Sequence, residues 1–200
     1  MNIGVDLDDV LADFHKGWLR YYNDKYGTNF KKSDCYSYKL SDVHNVADKI
    51  VVKRIKHFYR TNIFKDLEPI RGAKKAVERI KKRHKLFVIT SRPNWTSDTT
   101  RTWIKKYFIS SFKEVIITNQ FGNKDKDSQV DKSEVCKKYR INLIIEDAPT
   151  FAYDVAKSGK KVLLLDNPWN KDIVDHKNMK RVRSWKEIIR SLNMKRIVET

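Results

Sequence analysis

Three carboxylates lie within four residues near the start of the chain. Asp6, Asp8 and Asp9 follow the short apolar run 3–5, which predicts a buried strand. If that strand extends through Asp8, alternation places the side chains of Asp6 and Asp8 on one side. Acids this close to an apolar strand repel one another and are costly to bury, and a divalent cation such as Mg²⁺ would relieve that cost. The alternative is a polar loop in which Asp9 or Asp13 caps the next helix.

Polar side chains also follow two later apolar runs, each of which predicts a strand. Thr90 and Ser91 come after the first run, and Glu146 and Asp147 come after the second. Lys132 lies just inside the helix predicted before the second of these strands. Because the carboxyl ends of parallel strands meet at one edge of a sheet, we expect these groups and the first acids to lie together.

This combination is suited to phosphoryl transfer through a covalent aspartate. We expect Asp6 to attack phosphorus, and Asp8 to protonate the leaving oxygen and then to deprotonate the water that hydrolyses the intermediate. A bound cation would shield Asp6 from the anionic phosphate and orient both groups, and Asp147 is the natural second carboxylate ligand. Either Thr90 or Ser91 would donate a hydrogen bond to a phosphate oxygen.

Lys132 is the cation expected to offset the charge that develops on the phosphate. Its neighbours Lys124, Lys126 and Lys137 are the alternatives for that role. Glu146 is expected to support the site rather than to bind the metal. The five histidines show no metal-ligand spacing, so no zinc site is predicted.

Apolar periodicity indicates which elements position these residues. In the last two-thirds of the chain, short apolar runs alternate with amphipathic helices, which predicts a parallel sheet covered on both faces. The segment before them has a helical pattern, with one helix stopped by Gly27 and another continuous over 43–58. We therefore expect an α/β, Rossmann-like core made of residues 1–13 and 69–200, with 14–68 as a small helical cap inserted after the first strand.

Composition limits the class of protein and its partners. The 200 residues are 40% hydrophobic, which is enough for a packed core. A net charge of +18 fits an anionic partner such as a phosphorylated metabolite, a nucleotide or a nucleic acid. The lysines are nevertheless spread over many helices, as on an ordinary solvated surface, so nucleic acid is not the partner we favour. The polar stretch 122–127 predicts a mobile loop.

Cysteine usage and hydropathy bear on the compartment. Cys35 and Cys136 are far apart in sequence and lack CxxC spacing, which favours a reduced, intracellular protein. The start of the chain shows no basic region followed by a long apolar segment, and no apolar stretch is long enough to span a bilayer. We therefore expect a cytoplasmic protein that acts away from membranes.

Together, the motifs resemble those of the haloacid dehalogenase superfamily of aspartate-nucleophile phosphatases, and within it the 5′(3′)-deoxyribonucleotidases and related bacterial nucleotidases. The motifs that carry this resemblance are Asp-Leu-Asp-Asp-Val-Leu-Ala-Asp-Phe at 6–14, Val-Ile-Thr-Ser-Arg-Pro at 88–93, Lys132, Ile-Glu-Asp at 145–147 and, more weakly, Pro-Trp-Asn at 168–170 and Ser-Trp at 184–185. The resemblance implies Mg²⁺ held by Asp6, the backbone carbonyl of Asp8, and Asp147. Asp9 stands where many relatives have a glycine or another small residue, a difference that bears on the substrate rather than on the reaction.

The function implied by the resemblance is that of a Mg²⁺-dependent phosphomonoester hydrolase, acting as a 5′-nucleotidase on (deoxy)nucleoside monophosphates through an aspartyl-phosphate. We expect substrate contacts from Thr90, Ser91, Arg92 and Lys132, and from Phe14, which either packs in the core or stacks on a nucleobase. For Arg92 the alternative is a surface loop. The alternative functions are a phosphatase of another small metabolite or of nucleic-acid 3′ ends, and a non-enzymatic switch phosphorylated on aspartate. The predicted cap disfavours a polymer because it should restrict access to small molecules.

Overall fold

A sheet of six parallel strands forms the centre of the computed structural model, which describes residues 1–121 and 129–194. The strands are β1 (Asn2–Val5), β2 (Lys85–Thr90), β3 (Glu114–Ile117), β4 (Leu143–Glu146), β5 (Lys161–Leu165) and β6 (Met179–Val182). The helices are α1 (Phe14–Tyr26), α2 (Leu40–His44), α3 (Asp48–Phe58), α4 (Asn62–Lys65), α5 (Ala73–Ile80), α6 (Ser97–Tyr107), α7 (Lys132–Lys138), α8 (Pro149–Lys157) and α9 (Trp185–Met194). The predicted α/β, Rossmann-like sheet is confirmed.

None of the helices in the described ranges is long and apolar enough to cross a membrane. The predicted loop at 122–127, with Lys124 and Lys126, lies outside the described residues.

The strand order places β1 at the point where the chain changes direction across the sheet. The order is β3-β2-β1-β4-β5-β6, so β2 and β3 extend to one side of β1 while β4 to β6 extend to the other. Ligands of such sheets bind in the crevice that this reversal leaves at the carboxyl ends of the strands. Gly4 lets β1 pack closely, because a Cβ atom there would lie 2.9 Å from Ile89 and 3.2 Å from Ile144.

The β6 strand is not predicted by the apolar pattern. It lies at the edge of the sheet, and its middle residues Lys180 and Arg181 are not buried. Arg181 pairs with Asp166 at 2.7 Å, just after the end of the neighbouring β5. An edge strand that holds its place partly through charged side chains has no continuous apolar run, which explains why the pattern misses it.

The β1 strand ends at Val5, directly before Asp6, as the apolar run 3–5 predicts, so the strand does not extend through Asp8 as the alternation argument would require. The backbone N–H of Asp6 continues the ladder to β4 at 2.9 Å. Residues 7–12 then form a tight loop closed by two N–H groups that donate to one carbonyl oxygen. Within it Asp9 has φ of 56°, a left-handed conformation that Asp tolerates better than most residues. The loop, and not strand alternation, orients the two acids.

The chain leaves the sheet layer and returns to it through two segments that lie side by side. The N–H of Asp13 donates to the carbonyl of Glu68 at 2.9 Å, and the N–H of Ile70 donates to the carbonyl of Leu11 at 2.8 Å. Helices α1 to α4 lie between these segments. The division into a core and a cap over 14–68 stays a prediction.

One of the two helix predictions in this segment is correct and the other is wrong. Gly27 adopts φ of 62° and ends α1, as predicted. The single helix predicted over 43–58 is instead split into α2 and α3. The break falls at Asn45, which adopts φ of 49°. Asparagine tolerates this left-handed conformation. The helix therefore ends there, although the apolar spacing of the sequence continues.

An aromatic cluster with a buried histidine fills the space between α1 and α2. Trp18, fully buried, donates its indole N–H to Nε2 of His44 at 2.9 Å. The imidazole also stacks on Tyr22, with ring centroids 3.8 Å apart. An indole can only donate, so Nε2 must carry a lone pair and His44 must be neutral. Burial, with the nearby positive charge of Arg54, lowers the pKa of His44 to about 4.

Protonation of His44 should therefore destabilise the fold. In the unfolded chain His44 takes up a proton at its ordinary pKa of 6.5, whereas in the folded chain its pKa is about 4. The free energy of unfolding therefore falls as the pH drops from 6.5 to about 4. The expected loss is at most about 3 kcal/mol. It is measured as the difference in unfolding free energy between the wild type and His44→Gln across this pH range. The exposed His57→Gln is the control, and a parallel pH dependence in wild type and His44→Gln would contradict the assignment.

Candidate active site

A buried lysine joins the carboxyl ends of β1 and β4. Lys132, in the first turn of α7, donates from Nζ to Oδ1 of Asp6 at 2.6 Å and to Oε2 of Glu146 at 2.8 Å. All three residues are buried. The structure thus brings together the predicted nucleophile and the predicted lysine, which lie 126 positions apart in the chain. The other oxygen of Asp6 accepts no hydrogen bond from the described residues.

Glu146 is fully occupied by contacts within the protein. One carboxylate oxygen binds Lys132, and the other accepts the backbone N–H groups of Asp147 and Ala148 at 3.2 and 3.1 Å. This arrangement fits the expected supporting role of Glu146, because it orients Lys132 and fixes the turn that carries Asp147.

Asp147 is held at the same edge by the chain segment after β5. Its Oδ2 accepts the indole N–H of Trp169 at 2.9 Å, and its carbonyl accepts the side-chain amide of Asn170 at 2.8 Å. Asp6, Glu146 and Asp147 each offer a carboxylate oxygen, and these oxygens lie within 4.8 Å of one another.

The electrostatics of this cluster leave it short of positive charge. Burial and the charge of Glu146 raise the pKa of Asp6 to about 8, against the opposing effect of Lys132. Burial and the charges of Asp9 and Glu146 raise the pKa of Asp147 well above its usual range. Clustered carboxylate oxygens with an excess of negative charge are the environment that a hard divalent cation occupies, so these residues fit Mg²⁺.

Asp8 is held by a different cation from the one that holds Asp6. Arg92 donates from Nε and Nη2 to the two carboxylate oxygens of Asp8, at 2.9 and 2.6 Å. The guanidinium also donates to Oγ1 of Thr100 and lies 4.5 Å from the ring centroid of Phe64. Because Arg92 is 2% exposed, its alternative placement in a surface loop is wrong. Its donors are directed at Asp8 and Thr100, which makes it a residue that orients Asp8.

The structure separates the environments of Thr90 and Ser91. Ser91 lines the cavity at the strand edge. Thr90 is buried one residue deeper, where its hydroxyl accepts the backbone N–H of Arg92 at 3.3 Å. Ser91 is therefore the better placed of the two to meet a phosphate, and Thr90 shapes the turn.

The cavity lies between the sheet edge and helices α1, α2 and α3, and it is partly open to solvent. It measures about 340 Å³, and Asp6, Asp8 and Asp147 lie at its polar end. Its apolar wall is formed mainly by Phe14, Leu40, Val51, Ile55, Tyr59 and Phe121. Phe14 also packs edge-on against Phe58 and Tyr59, so it belongs both to the cavity wall and to the packed interior.

Comparison with known proteins identifies the family. Residues 1–197 match the family described as 5′ nucleotidase, deoxy (pyrimidine), cytosolic type C protein. The chain belongs to this nucleotidase family. A 5′(3′)-deoxyribonucleotidase of Bacillus subtilis is 24% identical over 193 residues, which cover 95% of this chain and 97% of that protein.

Solved structures of haloacid dehalogenase-like hydrolases share the fold of the nucleotidase. The haloacid dehalogenase-like hydrolase SP0104 of Streptococcus pneumoniae superposes with a TM-score of 0.70 at 12% identity, covering 96% of this chain and 97% of that one. The magnesium-bound YfnB of Bacillus subtilis superposes with a TM-score of 0.63 at 16% identity, covering 96% and 98%. The fold and the family together make this chain an enzyme of the nucleotidase and phosphatase class.

Sequence reasoning missed a histidine in the nucleotidase site. His15, in α1, pairs through Nδ1 with Oδ2 of Asp9 at 2.5 Å and stacks on Trp169 at 3.8 Å. The same indole donates a hydrogen bond to Asp147, so His15 and Trp169 together help to hold a predicted metal ligand in place. The additional carboxylate of Asp9 was the available signal, but nothing in the spacing linked it to His15. Tyr38, in the loop before α2, also lines the cavity and was not predicted.

Proposed function

We propose that this nucleotidase hydrolyses (deoxy)nucleoside monophosphates by transferring the phosphoryl group to Asp6, with Mg²⁺ held by Asp6, Asp147 and the backbone carbonyl of Asp8. The observation that carries the proposal is the placement of Asp6. Its carboxylate lines the cavity, with Lys132 on one oxygen and an oxygen of Asp147 within 4.8 Å.

The chain's own residues account for the proton and bond changes. Oδ2 of Asp6 forms a bond to phosphorus while the ester P–O bond breaks, and Asp8 gives a proton to the leaving oxygen. Asp8 then removes a proton from a water molecule that attacks phosphorus, and the bond between Asp6 and phosphorus breaks to release orthophosphate. Lys132 and Ser91 stabilise the charge on the transferring oxygens. When bound, Mg²⁺ supplies the positive charge that lets an anionic carboxylate approach an anionic phosphate.

Arg92 keeps Asp8 in place for both proton transfers. Its two hydrogen bonds fix the carboxylate plane of Asp8, and Thr100 and Phe64 fix the guanidinium in turn. Positioning of this kind matters because small misplacements of a catalytic group cost large factors in rate.

The shape and chemistry of the cavity support a small substrate with a planar apolar part. A volume of about 340 Å³ bordered by helices suits a small molecule better than a polymer end. The apolar wall, which includes Phe14 and Tyr59, suits the face of a nucleobase, while the acids and Lys132 lie at the phosphate end. The name of the Bacillus subtilis relative supports the same substrate class.

A panel of phosphate esters tests the proposal. We expect the wild type to release orthophosphate from nucleoside monophosphates only when Mg²⁺ is present, and Asp6→Asn to release it at least about 10⁴-fold more slowly. A 3′-phosphorylated oligonucleotide tests the polymeric alternative, a sugar phosphate tests another small metabolite, and accumulation of a stable phosphoprotein without turnover would indicate the switch. Equal rates with and without Mg²⁺ would contradict the proposed site.

A further inference from the structure

Tyr38 places an aromatic side chain from the helical segment into the phosphate end of the cavity. It lies in the short connection before α2 and lines the same cavity as Asp6, Asp8 and Asp147. The connection is pinned on either side of it. The N–H of Lys39 donates to Oγ of Ser37 at 3.1 Å. That hydroxyl in turn donates to the carboxylate of Asp42 at 3.0 Å.

The hydroxyl of Tyr38 is a donor without an acceptor in the described part of the chain. The residue is 37% exposed, and it lines the cavity that Asp6, Asp8 and Asp147 also line. Burial and the charges of Asp147, Glu146, Asp6 and Asp8 raise the pKa of Tyr38 well above its usual range, so the hydroxyl keeps its proton. None of these carboxylates lies within hydrogen-bond distance of it in the structure.

We propose that the Tyr38 hydroxyl donates a hydrogen bond to an oxygen of the phosphoryl group bound at Asp6. The inference rests on the proposed function, because the phosphorus atom must lie within roughly 3–3.5 Å of the attacking carboxylate oxygen. A phosphoryl group there occupies the space between the hydroxyl and the carboxylates. Its oxygens accept hydrogen bonds, and the hydroxyl is a donor that no described residue uses.

This contact gives the helical segment a part in phosphate binding as well as in enclosing the site. Ser91 and Lys132 would contact the phosphoryl group from the sheet edge, and Tyr38 would contact it from the connection before α2. A phosphate bound between the two walls would hold the segment closed over the substrate.

Tyr36 supplies a matched control two residues away. Its hydroxyl donates to the backbone carbonyl of Asp42 at 3.0 Å, and the residue is 64% exposed and does not line the cavity. Tyr38→Phe and Tyr36→Phe each remove one oxygen from the same connection, but only the first removes a donor from the phosphate end.

The test compares the wild type with both variants in Mg²⁺, using a nucleoside monophosphate, p-nitrophenyl phosphate and orthophosphate as an inhibitor. For Tyr38→Phe we expect kcat/KM to fall about tenfold on both esters, since a hydrogen bond to a charged group is lost. We expect the inhibition constant of orthophosphate to rise by a similar factor of about ten. Tyr36→Phe should match the wild type, and all three proteins should melt alike.

Direct binding of orthophosphate to the Mg²⁺-loaded proteins, measured by calorimetry, separates this inference from the proposed function. If no ester is hydrolysed, the proposed function fails, while weaker orthophosphate binding by Tyr38→Phe than by wild type still supports the contact. Equal orthophosphate binding by the two proteins overturns it. A loss confined to the nucleoside monophosphate, with p-nitrophenyl phosphate and orthophosphate unchanged, also overturns it because the hydroxyl would then contact the nucleoside.

Discussion

Asp6→Asn should lower kcat by about 10⁴-fold or more while leaving the fold intact. An amide oxygen does not attack phosphorus as a carboxylate does, so no covalent intermediate forms. The variant should fold because Asn has the same shape, and Lys132 keeps its contact with Glu146. Since burial and Glu146 already raise the pKa of Asp6 to about 8, removal of this charge should leave the metal-free melting temperature equal or higher.

Phosphate release and thermal unfolding of the same samples check this expectation. Asp13→Asn is the matched control, because Asp13 belongs to the same segment but does not line the cavity. Its activity should stay within about threefold of wild type. Comparable turnover by Asp6→Asn and Asp13→Asn would remove Asp6 from the mechanism.

Lys132→Met should lower both stability and activity, for one electrostatic reason. Without the ammonium group, Asp6 and Glu146 become two unpaired carboxylates in a buried site. Loss of one partner from a buried ion pair costs about 3–5 kcal/mol of unfolding free energy. The phosphoryl group also loses a charge partner, so we expect kcat to fall by about 10²–10³-fold.

Denaturant unfolding of the metal-free protein at two pH values tests whether the loss of stability is electrostatic. The loss of stability should be larger at alkaline pH, where Asp6 is ionised, than at acid pH, where it is protonated. Adding Glu146→Gln to Lys132→Met should recover part of the stability, because it removes one of the unpaired charges. If Lys132→Met unfolds at the same denaturant concentration as wild type at both pH values, the buried ion pairs do not stabilise the fold.

The sheet and the central acids were predictable because their signals are local. Continuous apolar runs identify buried parallel strands, and polar residues at the ends of those runs must meet at one edge. Asp6, Lys132 and Asp147 could therefore be placed together from the sequence. The edge strand β6 could not, because Lys180 and Arg181 interrupt any apolar pattern.

The residues that reach the site from the helical segment depend on tertiary contacts instead. His15 matters through its pairing with Asp9 and its stacking on Trp169, which lies far along the chain. Tyr38 lies in an irregular connection with no periodicity to interpret. The sequence around Arg92 is equally compatible with a surface loop, and only its two hydrogen bonds to Asp8 show its role. Hydrophobicity patterns in a sequence indicate which residues are buried and whether a segment is a helix or a strand. The roles of these residues depend instead on which loops pack against each other.

Chemical trapping of the covalent intermediate tests the central claim most directly. Borohydride reduces an aspartyl-phosphate to homoserine, which stays in the chain and can be located by tandem mass spectrometry of the peptide 1–16. After brief reaction of the Mg²⁺-loaded enzyme with a nucleoside monophosphate and quenching, homoserine should appear at position 6. It should be absent without substrate and in Asp6→Asn. Turnover without any homoserine, or homoserine at position 8 instead of position 6, would contradict the assignment of Asp6 as the nucleophile.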